Sequence, residues 1–246
     1  MKLKFLQWNI WYKENPDNII QEIQNSAADI VTAQELIQNS KTNVDTAQYI
    51  ADRLGFNYFY QTADTWDNRE EKKAQGNAIF SRFPIVKSDC VYLQKPKHNP
   101  TNALEEGRVY LEVLFDIHGK KLTIGTTHLS LTPHFKITNQ RKKEINNLIG
   151  VIKNKKSDYI LGADLNVVPG SYTIKQLEKY LKSAGPDYGE NTFANQAFDY
   201  RGMFQVKGLE ERLDYVFATD DIRVIGAQVF PTKYSDHLPI LVEIEL

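Results

Sequence analysis

One short segment, residues 159–166, limits the folds open to this chain more than any other. It begins with an uninterrupted, largely apolar run that suits a strand buried on both faces, and it then reaches Asp164 and Asn166. Enzymes with α/β folds place their chemical groups where such strands end. The two polar residues could equally cap a turn and bind loop backbone. The choice depends on whether other strands end in the same way.

The pattern of apolar residues predicts helices between strands at the start of the chain and mostly strands after residue 56. Apolar and β-branched runs predict strands at 3–10, 29–35, 56–61, 76–84, 85–93, 108–117, 122–129, 158–163, 213–217, 222–230 and 237–246. Stripes of helical period predict helices from Asn15-Pro16-Asp17 onward and at about 43–54, 139–153 and 173–181. His118-Gly119 predicts a tight hairpin, and residues 182–208 match no element clearly.

No linker, internal repeat or low-complexity segment divides the chain, which predicts one domain over residues 1–246. The order of elements predicts two packed mixed sheets with helices outside. Two polar stretches, 62–75 and 94–107, are predicted to be long loops that line a substrate groove. Their basic residues suffice for a few phosphate contacts: Arg69, Lys72, Lys73, Lys95, Lys97 and His98. The cluster Arg141-Lys142-Lys143 is expected to be a solvated helix face.

The charge balance argues against one class of function. A net charge of −1 and a pI near 6.5 do not suit a protein that coats nucleic acid non-specifically, although they leave open a nuclease with a local basic groove. The single cysteine, Cys90, cannot form an intramolecular disulfide, which fits a reducing compartment. The first residues lack the long apolar run of a signal peptide or membrane span. A cytoplasmic monomer without a membrane span is therefore expected, with a leader already removed as the alternative.

Amides, carboxylates and imidazoles recur where the predicted strands begin or end. They are Asn9, Glu35, Asn77, His128, Asp164, Asn166, Asp214, Asp236 and His237. Oxygen ligands of this kind suit Mg²⁺ or Mn²⁺ better than structural zinc, and Mg²⁺ takes only one or two carboxylates together with substrate phosphate. The remaining groups are then free to activate water and to stabilise phosphoryl oxygens, as phosphoester hydrolysis requires. A single histidine after an apolar row would more often be structural, so it is the set that predicts chemistry.

A series of motifs resembles those of the endonuclease/exonuclease/phosphatase superfamily, in that family's order and from end to end of the chain. They are Trp8-Asn9-Ile10, Gln34-Glu35, Gly76-Asn77-Ala78-Ile79-Phe80-Ser81-Arg82-Phe83-Pro84, Thr127-His128-Leu129, Gly162-Ala163-Asp164-Leu165-Asn166, Leu213-Asp214-Tyr215-Val216-Phe217 and Ser235-Asp236-His237-Leu238-Pro239. The resemblance implies an α/β fold, a four-layer α/β/β/α sandwich of two packed mixed sheets flanked by helices. It also implies metal-dependent hydrolysis of phosphoester bonds, for which the oxygen ligands favour Mg²⁺, with Mn²⁺ possible.

The resemblance assigns the metal and the attacking water to separate residues. Glu35 is the principal metal ligand that it implies, with Asn9 and Asp236 near the metal. Asp164 would activate or orient the attacking water, and Asn166 would support it.

The two histidines are implied to contact the scissile phosphate. His128 and His237 would stabilise its transition state, with Asp214 as the orienting partner of His237. Strand geometry agrees, because neighbouring strand residues point to opposite faces and Asp236 is therefore badly placed to bond His237. A carboxylate from another strand would raise the pKa of the imidazole and make His237 a cationic phosphate clamp or general acid.

Two further residues are predicted to bind substrate. Arg108 opens a strand after a long loop, where its guanidinium could bind phosphate or form an ion pair with Glu105 or Glu106. Asn77 could donate a hydrogen bond to a phosphate oxygen or to His128.

The substrate class stays open at this point. The histidine in Thr127-His128-Leu129 resembles the deoxyribonuclease, tyrosyl-DNA phosphodiesterase, deadenylase and sphingomyelinase branches, since abasic-site endonucleases typically have tyrosine there. A nucleic-acid phosphodiester, DNA or RNA, is favoured, with phospholipid, sphingomyelin or inositol phosphate as alternatives. A catalytically silent binding module is the rival from another class. It predicts the loss of a core residue, whereas every motif position holds a competent one.

Overall fold

Two mixed β-sheets pack face to face in the computed structural model, which describes residues 1–67, 70–199 and 205–246. The strands are β1 Lys2–Asn9, β2 Ile30–Asn39, β3 Val44–Asp45, β4 Asn57–Asp67, β5 Lys72–Ser81, β6 Ile85–Gln94, β7 Arg108–Ile117, β8 Lys120–His128, β9 Tyr159–Asp164, β10 Lys182–Ser183, β11 Phe198–Asp199, β12 Gln205–Val206, β13 Asp214–Ala218, β14 Arg223–Val229 and β15 Ile240–Glu245. The helices are α1 Pro16–Ser26, α2 Thr46–Leu54, α3 Asn139–Ile152 and α4 Tyr172–Leu177, with a 3₁₀ turn at Pro133–Phe135.

Each large sheet contains one parallel pair of strands among antiparallel neighbours. The first sheet has the order β14-β15-β1-β2-β5-β4, with β3 beside β2, and the second has the order β10-β13-β9-β8-β7-β6. In the first sheet β1 and β2 are parallel and α1 connects them, while in the second α3 connects the parallel strands β8 and β9. The chain therefore contains two βαβ units, one in each sheet.

Three apolar layers hold the sheets and helices together. Alternate residues of both sheets fill the layer between them, as Val109, Leu111 and Val113 of β7 illustrate. Isoleucines of α1 pack on the outer face of the first sheet, and α3 packs on the outer face of the second through residues such as Leu148. Burying each side chain of this size stabilises the fold by about 1.5–3 kcal/mol. The predicted four-layer α/β/β/α sandwich is confirmed.

Side-chain caps begin both connecting helices, and α1 begins where Asn15-Pro16-Asp17 predicts. Asn15 accepts a hydrogen bond from the backbone N–H of Asp17, and Pro16 occupies the first turn of α1. Thr138 accepts a hydrogen bond from the N–H of Arg141 at the start of α3. Both helices pack their apolar stripes on the sheets, as their periodicity predicts.

The predicted loop at 62–75 is wrong over most of its length. Strand β4 continues to Asp67 and β5 begins at Lys72, so the segment is largely a hairpin. Its polar composition reflects partial exposure of the hairpin beside the cleft, and a bulge between Thr62 and Asp64 interrupts the alternation. Arg69 of this segment lies outside the described residues. By contrast, residues 95–107 contain neither helix nor strand, as predicted.

Smaller differences concern other element boundaries. Helix α2 begins at Thr46 because Val44 and Asp45 pair with β2, and α4 ends at Leu177. Among the described residues, no helix is both long and apolar enough to cross a membrane.

Candidate active site

The polar residues at the strand ends meet at one edge of the two sheets. Asn9 ends β1, His128 ends β8 and Asp164 ends β9, while Asp214 begins the antiparallel β13 directly opposite Asp164. A cleft of about 740 Å³ opens at this edge. The predicted site residues that line it are Glu35, Arg108, His128, Asp164, Asn166, Asp236 and His237. Asn9, Asn77 and Asp214 are buried.

A β-bulge directs Glu35 into the cleft. The register of β2 against β5 shifts between Ala33 and Leu36, and Glu35 within this bulge has a left-handed φ of 66°. A non-glycine residue adopts this conformation only when its surroundings hold it there. The carboxylate supplies part of that hold, because it accepts hydrogen bonds from Asn9 Nδ2 at 3.1 Å and from the N–H of Tyr12 at 3.2 Å.

Negative charge accumulates around Glu35. Burial, and then the carboxylate of Asp236, raise the pKa of Glu35 to about 7. Burial likewise raises the pKa of Asp236. The amide of Asn9 lies between two carboxylates, with its Nδ2 3.1 Å from Glu35 Oε1 and 3.0 Å from Asp164 Oδ2. A bound cation would relieve the repulsion between these acids.

His237 is held by Asp214, as strand geometry predicts. Its Nδ1 lies 2.8 Å from Asp214 Oδ2, and its Nε2 lies 3.8 Å from Asp164 Oδ2. Burial lowers the pKa of His237, but Asp214 and Asp164 outweigh burial and raise the pKa to about 10. The imidazole is therefore a cation at neutral pH.

His128 is in the opposite protonation state. Burial is the largest influence on its pKa and, with help from the positive charge of Arg108, overcomes Asp164 and lowers the pKa to about 4. The Nε2 of His128 lies 3.0 Å from Asn166 Nδ2 and 3.3 Å from Asp164 Oδ2. Asn166 also donates its amide to the carbonyl of Leu129 and has a left-handed φ of 49°. A neutral imidazole thus faces Asp164 from one side and a charged one from the other.

The two predicted substrate-binding residues already have protein partners. Arg108 is buried, and its guanidinium binds Glu106 Oε2 at 2.6 Å and Ser130 Oγ at 3.1 Å, so the predicted ion pair with Glu106 is present. Asn77 Nδ2 donates to the carbonyl of Val109 at 3.2 Å rather than to His128. Arg108 still lines the cleft, whereas Asn77 lies beneath it.

A family model matches most of the chain. Residues 6–237 match the endonuclease/exonuclease/phosphatase family. The chain belongs to this family. Its members are phosphoesterase hydrolases that generally use a divalent metal.

Solved structures with the family fold cover nearly the whole chain. The endonuclease/exonuclease/phosphatase from Beutenbergia cavernae aligns with a TM-score of 0.77 at 20% identity, over 100% of this chain and 72% of that one. The mannosyl-6-phosphatase of Bacteroides thetaiotaomicron gives 0.69 at 17% identity, over 99% and 100%. D. rerio TDP2 complexed with a single-strand DNA product gives 0.70 at 17% identity, over 100% and 99%. No curated protein matches the chain.

The residues of this candidate site suit a divalent cation. Glu35 and Asp236 supply neighbouring carboxylates whose pKa values are raised. Asn9 lies beside them, but it presents its Nδ2 to Glu35, and its Oδ1 accepts a hydrogen bond from the N–H of Trp11. Asp164, Asp214 and His237 also bring potential ligand atoms within 4.8 Å of one another. In that second group Nδ1 of His237 is already bonded to Asp214. Glu35 and Asp236 are therefore the better candidates for the ligands, with Asn9 beside them.

The prediction that Arg141 lies on a solvated face is wrong. Arg141 is fully buried, its NH1 donates to the carbonyl of Leu165, and its Nε lies 3.5 Å from the carboxylate of Glu144. Glu144 in turn accepts a hydrogen bond from the N–H of Ser130. The spacing of Arg141 from the buried Ile145 and from the next turns of α3 places it on the apolar stripe, a signal that its charge concealed.

Two buried amides near the site were not predicted as site residues, although Gln34 stands in the Gln34-Glu35 motif. Gln7 is buried and donates to Gln34 Oε1 at 2.6 Å, and it lies 3.4 Å from Asp214 Oδ1. Gln34 donates to Thr126 of the other sheet at 2.9 Å. These amides join the two sheets behind the cleft, where alternation predicts apolar residues.

Proposed function

We propose that the chain is a metal-dependent phosphodiesterase that cleaves nucleic-acid phosphodiester bonds with water activated by Asp164. The observation that carries the proposal is the position of one carboxylate oxygen. Asp164 Oδ2 lies 3.0 Å from Asn9 Nδ2, 3.3 Å from His128 Nε2 and 3.8 Å from His237 Nε2. A buried carboxylate beside the candidate metal residues and between two imidazoles is suited to accept a proton from water as it attacks phosphorus.

The metal would be held by Glu35 and Asp236, with Asn9 beside them. Mg²⁺, or Mn²⁺ in its place, would supply Lewis-acid polarisation of a phosphoryl oxygen when bound. Burial and the charge of Asp236 raise the pKa of Glu35 to about 7, so the ionised carboxylate is disfavoured without a cation nearby. A bound cation would offset both effects and favour the ionised carboxylate, which supports this assignment.

The two histidines take different parts in the proposed reaction. The imidazolium of His237, oriented by Asp214, donates from Nε2 to an oxygen of the phosphoryl group as negative charge grows there. His128 remains neutral and contacts the same group, while Asn166 holds His128 and the turn after Asp164. Arg108 lies at the cleft as a further phosphate contact, and Asn77 of β5 bonds the carbonyl of the next residue, Val109.

The form of the cleft supports a nucleic-acid substrate. Its volume of about 740 Å³ exceeds what one phosphate requires, so groups on either side of the scissile bond have room. D. rerio TDP2, which shares the fold, was solved with a single-strand DNA product. A sugar phosphate is the second candidate, because the mannosyl-6-phosphatase of B. thetaiotaomicron has the same fold.

A substrate panel tests the proposal. Single-stranded and duplex DNA, RNA, tyrosyl-linked DNA, sugar phosphates, inositol phosphates and sphingomyelin would be assayed with Mg²⁺, Mn²⁺ or EDTA. We expect an oligonucleotide to be cleaved with either metal and not with EDTA. Asp164→Asn, purified identically, controls for contaminating nuclease, and Asp89→Asn, an exposed acid on β6, is the matched control. Cleavage that survives both EDTA and Asp164→Asn would overturn the mechanism.

A further inference from the structure

The connection between β1 and α1 brings two aromatic side chains and a lysine to the cleft. Trp11, Tyr12 and Lys13 all line it, and Tyr12 is 46% exposed. The proposed catalytic steps use none of them. We refer to these three residues as the aromatic loop.

The backbone of the aromatic loop is bonded directly to two of the candidate metal residues. The N–H of Trp11 donates to Asn9 Oδ1 at 3.1 Å, and the N–H of Tyr12 donates to Glu35 Oε2 at 3.2 Å. Trp11 has a left-handed φ of 56°, a conformation that a bulky residue rarely adopts. The surroundings therefore hold the loop at a fixed distance from the catalytic centre, although this costs conformational strain.

The positive charge of Lys13 beside the rings of Trp11 and Tyr12 favours some classes of substrate over others. The Lys13 ammonium lies 5.4 Å from the ring centroid of Trp11 and 5.4 Å from that of Tyr12. A second cation, such as the choline of a phospholipid head group, would be repelled by this ammonium. A planar ring that carries an adjacent phosphate instead gains both a stacking surface and a cation. Nucleotides have this combination, whereas sugar phosphates lack the planar ring.

We propose that Trp11 and Tyr12 form a subsite for the nucleobase next to the scissile phosphate, and that Lys13 binds a neighbouring phosphate. This inference rests on the proposed function, because it assumes a nucleic-acid phosphodiester in the cleft. The subsite would set which side of the scissile bond must carry a base.

Removal of single bases from the substrate tests the subsite. Oligonucleotides with a tetrahydrofuran residue at each position around the cleavage point keep the sugar and phosphate but lack one base. At one position we expect base removal to lower kcat/KM of the wild type by about 10- to 100-fold. Trp11→Ala or Tyr12→Ala should cause a loss of similar size with the complete substrate and little further loss when that base is absent. Tyr12→Phe, which keeps the ring, should retain most activity.

The matched control is Tyr180→Ala. Tyr180 is 44% exposed and is not among the residues of the cleft. We expect this variant to respond to base removal as the wild type does. If the loss of kcat/KM from Trp11→Ala simply multiplied the loss from base removal at every position, the two changes would act independently. That result would overturn the subsite. Cleavage of the oligonucleotide in the same assay would leave the proposed function intact.

A binding measurement without catalysis separates the two proposals. In EDTA, binding of thymidine 3′,5′-bisphosphate and of ribose 5-phosphate would be compared by calorimetry. We expect Trp11→Ala and Tyr12→Ala to weaken only the first, by about tenfold or more. Equal effects on both ligands, or an effect only on binding to phosphatidylcholine vesicles, would overturn the subsite. This result can be read even if no oligonucleotide is cleaved.

Discussion

The two βαβ units of this protein share a plan but differ in charge. In each unit a helix on the outer face connects two parallel strands whose carboxyl ends reach the cleft. The parallel pairing of the first unit ends at Asn9 and Gln34, next to Glu35 in the bulge of β2, where acids gather and the pKa of Glu35 rises to about 7. In the second unit Asp164 lies between two imidazoles. The same architecture thus provides an acidic end that suits a cation and an end that carries positive charge of its own.

The helices of the two units also differ in the charge that they bury. Helix α1 packs on its sheet through isoleucines, whereas α3 also buries Arg141 and Glu144 behind the site. The NH1 of Arg141 reaches the carbonyl of Leu165, between Asp164 and Asn166. A buried charge pair is a weak source of stability but can fix a geometry. The second unit is therefore the one in which backbone position matters most for the proposed chemistry.

The largest effect is expected from Asp164→Asn, at the end of the second unit. The change removes the proposed base but keeps the side-chain shape, so kcat should fall by about 10²–10⁴-fold with the metal requirement unchanged. Single-turnover assays across a Mg²⁺ titration would measure both quantities. A variant whose kcat is normal but which needs far more Mg²⁺ would assign Asp164 to the metal and contradict the division between the units.

The complementary change is Glu35→Gln, in the bulge of β2 in the first unit. Loss of a carboxylate ligand should raise the metal concentration for half-maximal activity by at least about 100-fold. Mutation of residues that only support the ligands weakens metal binding by up to about 100-fold, and loss of a ligand should cost at least as much. Saturating Mn²⁺ should restore a substantial part of kcat, in contrast to Asp164→Asn. Calorimetric titration with Mn²⁺ provides a second measurement. Unchanged metal affinity would remove Glu35 from the metal site.

The cationic state of His237 predicts a change in pH dependence. Asp214 raises the pKa of His237, so Asp214→Asn should lower this pKa, by about one to three units. Activity that needs the imidazolium would then decline at a lower pH than in the wild type. Asp164 and Asp236 still face the ring and limit the shift. A pH–rate profile with the same basic limb in both proteins would count against the imidazolium.

Much of the fold was predictable because strands and helices leave periodic signals. The apolar run before Asp164 and the cap at Asn15 have the structures that their patterns predict. The β4–β5 hairpin was not predictable, since a half-exposed hairpin has the composition of a loop. Arg141 was assigned to solvent because charge outweighed spacing, although only a partner such as Glu144 permits its burial.

The sequence identified which residues could form the candidate site, but it did not predict how they are arranged. Polar residues at strand ends converge because parallel strands end at a common edge. The bulge at Glu35 depends on pairing between β2 and β5, which alternation along one strand does not reveal. The opposite protonation of His128 and His237 depends on burial and on carboxylates that are distant in sequence. The position of Trp11 and Tyr12 at the cleft depends on a loop conformation.

The smallest effect compares the helix caps of the two units. Asn15→Ala and Thr138→Ala each remove one capping hydrogen bond, so each should lower the free energy of unfolding by about 1 kcal/mol and the Tm by about 2–4 °C. Their effects on catalysis should differ. Among the described residues that line the cleft, none belongs to α1 or α3, but Thr138 fixes the turn of α3 that carries Arg141, and therefore the carbonyl beside Asp164. Thr138→Ala should cause a small fall in kcat with KM unchanged, and Asn15→Ala should leave kcat as it is. Equal falls in both variants would mean that catalysis follows general stability, and the distinction between the two helices would then be lost.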